Sequence, residues 1–142
     1  MTDHISRART DIDAPPDHVW QLLTQPGSDP DIMFGAEVVS DWKVGSPIIW
    51  KGEWEGKPFE DKGEIIAIDA PSRLAVTHFS PLSGDKDSPE NYHRLEFDLE
   101  PISSGTRVTL VQDGNESEEA AAHSTANWQT MLDGLKKAAE RD

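Results

Sequence analysis

Between Glu37 and Val111 the chain is a succession of short runs rich in β-branched and aromatic residues, each cut off by turn residues, and this pattern constrains the fold more than any other feature. The runs are 37–41, 47–55, 58–69, 73–80, 92–100 and 106–113. Gly45-Ser46-Pro47, Glu55-Gly56-Lys57, Ala70-Pro71-Ser72 and Ser103-Ser104-Gly105 supply the reversals. Runs this short and this closely spaced read as a meandering antiparallel sheet. A further strand precedes them over His4 to Asp13, where Ser6, Ala8, Thr10 and Ile12 alternate with Ile5, Arg7, Arg9 and Asp11. The expected sheet therefore has seven strands, with the first at an edge.

Helical signals sit on either side of the long β region. Ala14-Pro15-Pro16-Asp17 suits the first turn of a helix, because proline has its φ already set and lacks only a donor that the first turn leaves unused. Val19, Trp20, Leu22 and Leu23 follow, and the helix is expected to end by Thr24. Pro26-Gly27 breaks the chain, and Ser28-Asp29-Pro30-Asp31 is suited to cap a second small helix through Phe34. After Gly114, Asn115 with Glu118 three residues later reads as a capping box for a long helix running to about Arg141. Its Trp128, Met131, Leu132, Leu135 and Ala139 recur at helical spacing, which marks a buried stripe.

Residues 1–142 are expected to form one domain. A chain of that length removes roughly two-thirds of its unfolded surface from water without staples. The simplest burial of all these apolar faces is an α+β helix-grip: a curved seven-stranded antiparallel sheet wrapped on the long C-terminal helix, with two short helices after strand 1. Such a sheet and helix tend to leave a concave, mostly apolar space between them.

Composition narrows the function. Thirteen Lys and Arg against 27 Asp and Glu leave a net charge of −14, a field that repels phosphate backbones and argues against nucleic-acid partners. The acids are spread along the chain, as in a solvated, mutually repelling surface; adaptation to high salt is the sharper alternative. Without cysteine there are no disulfides, thiolate nucleophiles or thiolate zinc sites. No apolar run approaches a membrane span, and the N-terminal residues lack the apolar core of a secretion signal, so a cytoplasmic protein with no membrane insertion is expected.

Several segments together resemble a known family. They are Ile12-Asp13-Ala14-Pro15-Pro16-Asp17-His18-Val19-Trp20; Trp42-Lys43-Val44-Gly45 leading to Trp50-Lys51-Gly52; Gly63-Glu64-Ile65-Ile66 before Pro71 and Leu74; Gly105-Thr106 with Val108-Thr109-Leu110; and Trp128 with Leu132, Leu135 and Lys136. In this order and spacing the chain resembles the homologues of the activator of the heat-shock protein 90 ATPase, within the START-like, birch-pollen-allergen-like (SRPBCC) helix-grip superfamily. The resemblance implies the helix-grip fold and a cavity for hydrophobic small molecules. It implies no shared catalytic residue set and no cofactor, and through the family's name it raises a chaperone-associated, stress-response role.

Alternation supplies candidate residues. His93, Leu95 and Phe97 share one face of their strand, as do Leu74, Val76 and His78 on the preceding one. Two imidazoles from neighbouring strands then look into one concavity, either as a polar pair orienting a ligand or exchanging a proton, or as satisfied histidines at the cavity end. Trp50 and Trp54 share a face, and Trp128 lies on the buried stripe of the last helix; these rings are core or cavity wall. Glu53 and Glu64 approach the rim without being placed inside by alternation. No third and fourth ligands accompany the histidines, so no metal site is expected. Nucleophile elbows, zincin motifs, Walker loops and dinucleotide fingerprints are all absent.

The first expectation is a binding module for a hydrophobic small molecule, lipid-like or aromatic. Its walls would be Trp50, Trp54, Phe59, Val76, His78, His93, Phe97, Trp128 and Met131, with an opening near the 80–91 loop. A protein-interaction or chaperone-associated module with a protein partner is the second, and a cyclase- or hydrolase-type enzyme using His78 or His93 the third.

Overall fold

The computed structural model describes residues 4–25, 37–54, 56–79, 86, 88, 92–115 and 117–141. In chain order the elements are β1 (His4–Ile12), α1 (Pro16–Thr24), β2 (Glu37–Ser40), β3 (Pro47–Trp54), β4 (Lys57–Asp69), β5 (Arg73–His78), β6 (His93–Ile102), β7 (Gly105–Asn115) and α2 (Glu118–Arg141). The expected strands all form, with ends within about two residues of their sequence bounds. The second small helix expected at 28–34 lies outside the described residues.

All seven strands belong to one antiparallel sheet in the order β1-β7-β6-β5-β4-β3-β2. Every neighbouring pair but one is consecutive in the chain; β1 instead closes on β7, from Ile12 opposite Thr106 to His4 opposite Asn115. This is the α+β helix-grip architecture, with α2 laid on the inner face beside β1. Ala8 and Ile12 of β1, Leu74 and Val76 of β5, Leu95, Phe97 and Leu99 of β6, and Val108 and Leu110 of β7 meet Met131, Leu132 and Leu135 of α2 in one apolar core.

Local chemistry explains the element ends. Pro15 stands at the N-cap of α1 and Pro16 at its first position, where a missing N–H costs nothing; the Pro15 carbonyl accepts from the His18 and Val19 amides. The Asn115 capping box does not form. β7 runs through Asn115, which pairs with His4, and the helix starts three residues later with Ser117 Oγ accepting the Ala120 N–H at 3.0 Å. Strand pairing outcompeted the cap because β1 extends far enough to hold Asn115 in the ladder.

Trp42 packs half-buried against the core with a left-handed φ of 58°. A register shift between Ile65 and Ala67 inserts one extra β4 residue against β5, so the inward-facing set changes phase along that strand.

Candidate functional site

One end of the inner face gathers a row of polar and aromatic side chains. The β3–β4 hairpin turns at Gly56, whose φ of +80° suits a residue without Cβ, and this register sets Trp50 opposite Asp61 and Gly52 opposite Phe59. In the next pairs His78 stands opposite His93, Val76 opposite Leu95 and Leu95 opposite Gln112. Trp50, Asp61, His78, His93 and Gln112 thus line up across five strands, on the face that α2 covers.

His78 is the centre of this row. Its Nε2 lies 3.0 Å from Asp61 Oδ2; the carboxylate accepts, so Nε2 carries the hydrogen. Trp50 and Trp128 both meet the imidazole at steep angles, with ring centroids 5.2 and 6.3 Å away and interplanar angles of 65° and 77°. Trp128 reaches in from α2 and is itself held by donating Nε1–H to Gln112 Oε1. The side chains of His78 and Asp61 are only 15% and 18% exposed, and His78 Nδ1 and Asp61 Oδ1 are buried without a hydrogen-bond partner. Two unpaired polar atoms in one half-enclosed pair are unusual in a folded chain.

His93 is half-buried and turned to the strand beside it: Nδ1 donates to the Asp113 carbonyl at 3.2 Å. Gly114 makes room for that ring, since a Cβ there would lie 3.0 Å from Nδ1. Gly63 serves the other side of the site. A Cβ at 63 would sit 1.7 Å from the Thr77 carbonyl oxygen, so only glycine lets β4 approach β5 this closely beside the Asp61–His78 pair.

The other expected site residues divide by depth. Val76, Phe97 and Met131 are wholly buried in the core cluster, behind the polar row. Phe59 is half-buried and packs against the same cluster, and Trp50 is 4% exposed. The side chain of Trp54 and the 80–91 opening, apart from Lys86 and Ser88, lie outside the described residues. Glu53 and Glu64 are exposed.

Asp61 and Gln112 escaped the sequence reading. Alternation from Ile65 back through Gly63 reaches Asp61, but 27 acidic residues hide any one of them. Among the described residues no group of three or more His, Asp or Glu side chains could hold a metal ion.

A seven-stranded antiparallel sheet gripping a long C-terminal helix is the architecture of the START-like (SRPBCC) helix-grip class. Within that class the chain belongs to the family described as Activator of Hsp90 ATPase homolog 1-like protein, whose profile matches residues 13–140. Among solved structures it is similar to ChR145 from Cytophaga hutchinsonii, with 48% identity over 99% of this chain and 97% of that one and a TM-score of 0.82. It is also similar to Aha1 from Colwellia psychrerythraea, solved as a dimer, with 22% identity, 99% and 97% coverage and a TM-score of 0.73. DynU16, from the dynemicin biosynthetic locus, shares 16% identity with a TM-score of 0.79; the match covers 98% of this chain and 48% of that one. The latter two likenesses establish the fold alone. No curated protein matches the chain. Among the described residues no helix is long and apolar enough to cross a membrane.

Proposed function

We propose that the chain binds a hydrophobic small molecule, lipid-like or aromatic, between the inner face of the sheet and α2. The observation that carries this reading is the His78–Asp61 pair set between Trp50 and Trp128: a few polar groups converging within an aromatic surround, the usual make-up of a small-molecule site. The fold is one that commonly holds hydrophobic ligands. In this reading Trp50, Phe59, His78, His93 and Trp128 touch the ligand, and Val76, Phe97 and Met131 form the floor.

Titration of the tryptophan emission with a panel of lipids and aromatic compounds tests it. A saturable change that weakens in Trp128→Leu and His78→Ala is expected. No response across the panel, with no extra mass retained in native mass spectrometry of protein from its own source, would overturn the reading.

A second reading, a protein-interaction or chaperone-associated module, draws support from Val39 and Val44, which stand 45% and 66% exposed on and just after the edge strand β2. Val39→Asp with Val44→Asp would then abolish capture of a partner without changing ligand binding.

A further inference from the structure

We propose that the ligand of this site carries a cationic, hydrogen-bond-donating head, an ammonium group on an apolar or aromatic body. The inference rests on the small-molecule reading above and deepens it, because the Asp61–His78 pair at the centre of the site is chemically one-sided.

Asp61, ionised, has only acceptors to offer, and its Oδ1 is buried without a partner. His78 gives its Nε2 hydrogen to Asp61 Oδ2, and in the neutral imidazole the Nδ1 beside it is a second unpaired acceptor. His93 gives its Nδ1 hydrogen to the Asp113 carbonyl, so the Nε2 of its neutral ring accepts as well. The donor that Trp128 brings is already committed to Gln112. At its centre, around the Asp61–His78 pair, the row therefore meets a ligand with lone pairs, while its N–H groups belong to Gln112 and Trp50 on either side.

A carboxylate or phosphate head would set lone pairs against lone pairs and its charge against Asp61. An ammonium reverses both terms. It brings several N–H donors, and an unpaired buried acceptor costs free energy that such a donor recovers on binding. The indoles of Trp50 and Trp128, with centroids 5.2 and 6.3 Å from the imidazole, border the same spot and attract a cation through their π electrons. A net charge of −14 acts in the same direction at long range, drawing cations toward the molecule and turning anions away.

Three probes with one apolar body separate these effects: octylamine, octanol and octanoic acid, titrated calorimetrically below their aggregation limits at neutral pH and physiological ionic strength. Octylammonium is expected to bind about ten-fold more tightly than octanol, with octanoate weakest. Asp61→Asn should remove most of that preference while leaving octanol binding nearly unchanged. Asp98→Asn makes the same change in net charge from an exposed position on the outer face of β6, and should leave the preference intact. Octanoate binding as tightly as octylammonium, or Asp98→Asn erasing the preference as fully as Asp61→Asn, would overturn the inference. Octanol binding with no preference for the amine overturns it alone, whereas no binding of any probe removes the small-molecule reading too. The wild-type ranking decides the matter even where Asp61→Asn does not fold.

Discussion

Gln129 completes the open edge of the sheet at Arg9. Its Oε1 accepts the Arg9 N–H at 3.4 Å and its Nε2 donates to the Arg9 carbonyl at 3.2 Å, so a helix side chain pairs with the β1 backbone as a neighbouring strand would. The same helix ties the edge above and below. Ser6 Oγ donates to the Ala121 carbonyl, Lys136 Nζ donates to the Asp11 carbonyl, and Glu140 accepts the Asp13 N–H. Unpaired edge groups are templates for association, and here α2 occupies them.

Gln129→Ala should cost about 1 kcal/mol, the net worth of exposed hydrogen bonds of this kind. Chemical denaturation measures the loss. Light scattering at high protein concentration should also show more self-association than in wild type, because the Arg9 peptide is left open to another strand.

Thr106→Val keeps the shape of a fully buried side chain and removes the hydroxyl that donates to the Ala14 carbonyl at 2.7 Å. Stranding a buried acceptor costs about 1–3 kcal/mol. A melting temperature lowered by several degrees is expected, with Thr106→Ser retaining more of the stability than Thr106→Val. Full stability in Thr106→Val, with a loss only in Thr106→Ser, would show that the methyl group matters and the hydrogen bond does not.

Gly63→Ala should be the most damaging of these changes. The new Cβ would collide with the Thr77 carbonyl oxygen and carbon at 1.7 and 2.6 Å, backbone atoms that cannot step aside without parting β4 from β5. A loss above about 3 kcal/mol, or failure to fold, is expected in thermal unfolding.

Stability should fall on acidification. The hydrogen bond from Arg107 holds the Asp11 carboxyl below its ordinary value, against a smaller effect of desolvation. At Glu96 burial works to raise the value, but hydrogen bonds and charges from Arg94 and Arg73 more than offset it. Lys136 and the Asp13 amide lower that of Glu140. A carboxyl whose folded value lies below its unfolded one lends stability above the unfolded value and loses it as pH falls through the folded one. Urea midpoints should therefore drop as pH descends through and below about 4. Asp11→Asn should show a shallower decline than wild type over the same window.

Much of this architecture was legible because its signals are local. The alternation of His93, Leu95, Phe97 and Leu99 against Arg94, Glu96 and Asp98 is the inward and outward division of β6, apart from a partly shielded Glu96. Val76 and His78 follow the same rule on β5. The failures came where one strand's environment is set by another. Asn115 had the chemistry of a cap, but its pairing with His4, 111 positions earlier, kept it in β7. Asp61 was hidden among many acids for a related reason: its setting is made by Trp50 across a hairpin and by His78 on the strand beyond. The unpaired atoms of Asp61 and His78 are properties of that assembly, invisible to any one segment.

The pairing of β1 with β7 sets a timetable for the molecule as it is made. Six strands can zip together hairpin by hairpin as they emerge, but β1 finds its neighbour only after some hundred further residues have been synthesised, and its outer edge waits longer still for α2. Through that interval the first strand of this sheet to leave the ribosome is the last to be sheltered, and closing so long a loop is a slow, entropically costly step. A ribosome stalled before Gly105 would present an unpaired strand to every other nascent chain in reach, so the growing polypeptide, more than the finished domain, is where aggregation would begin.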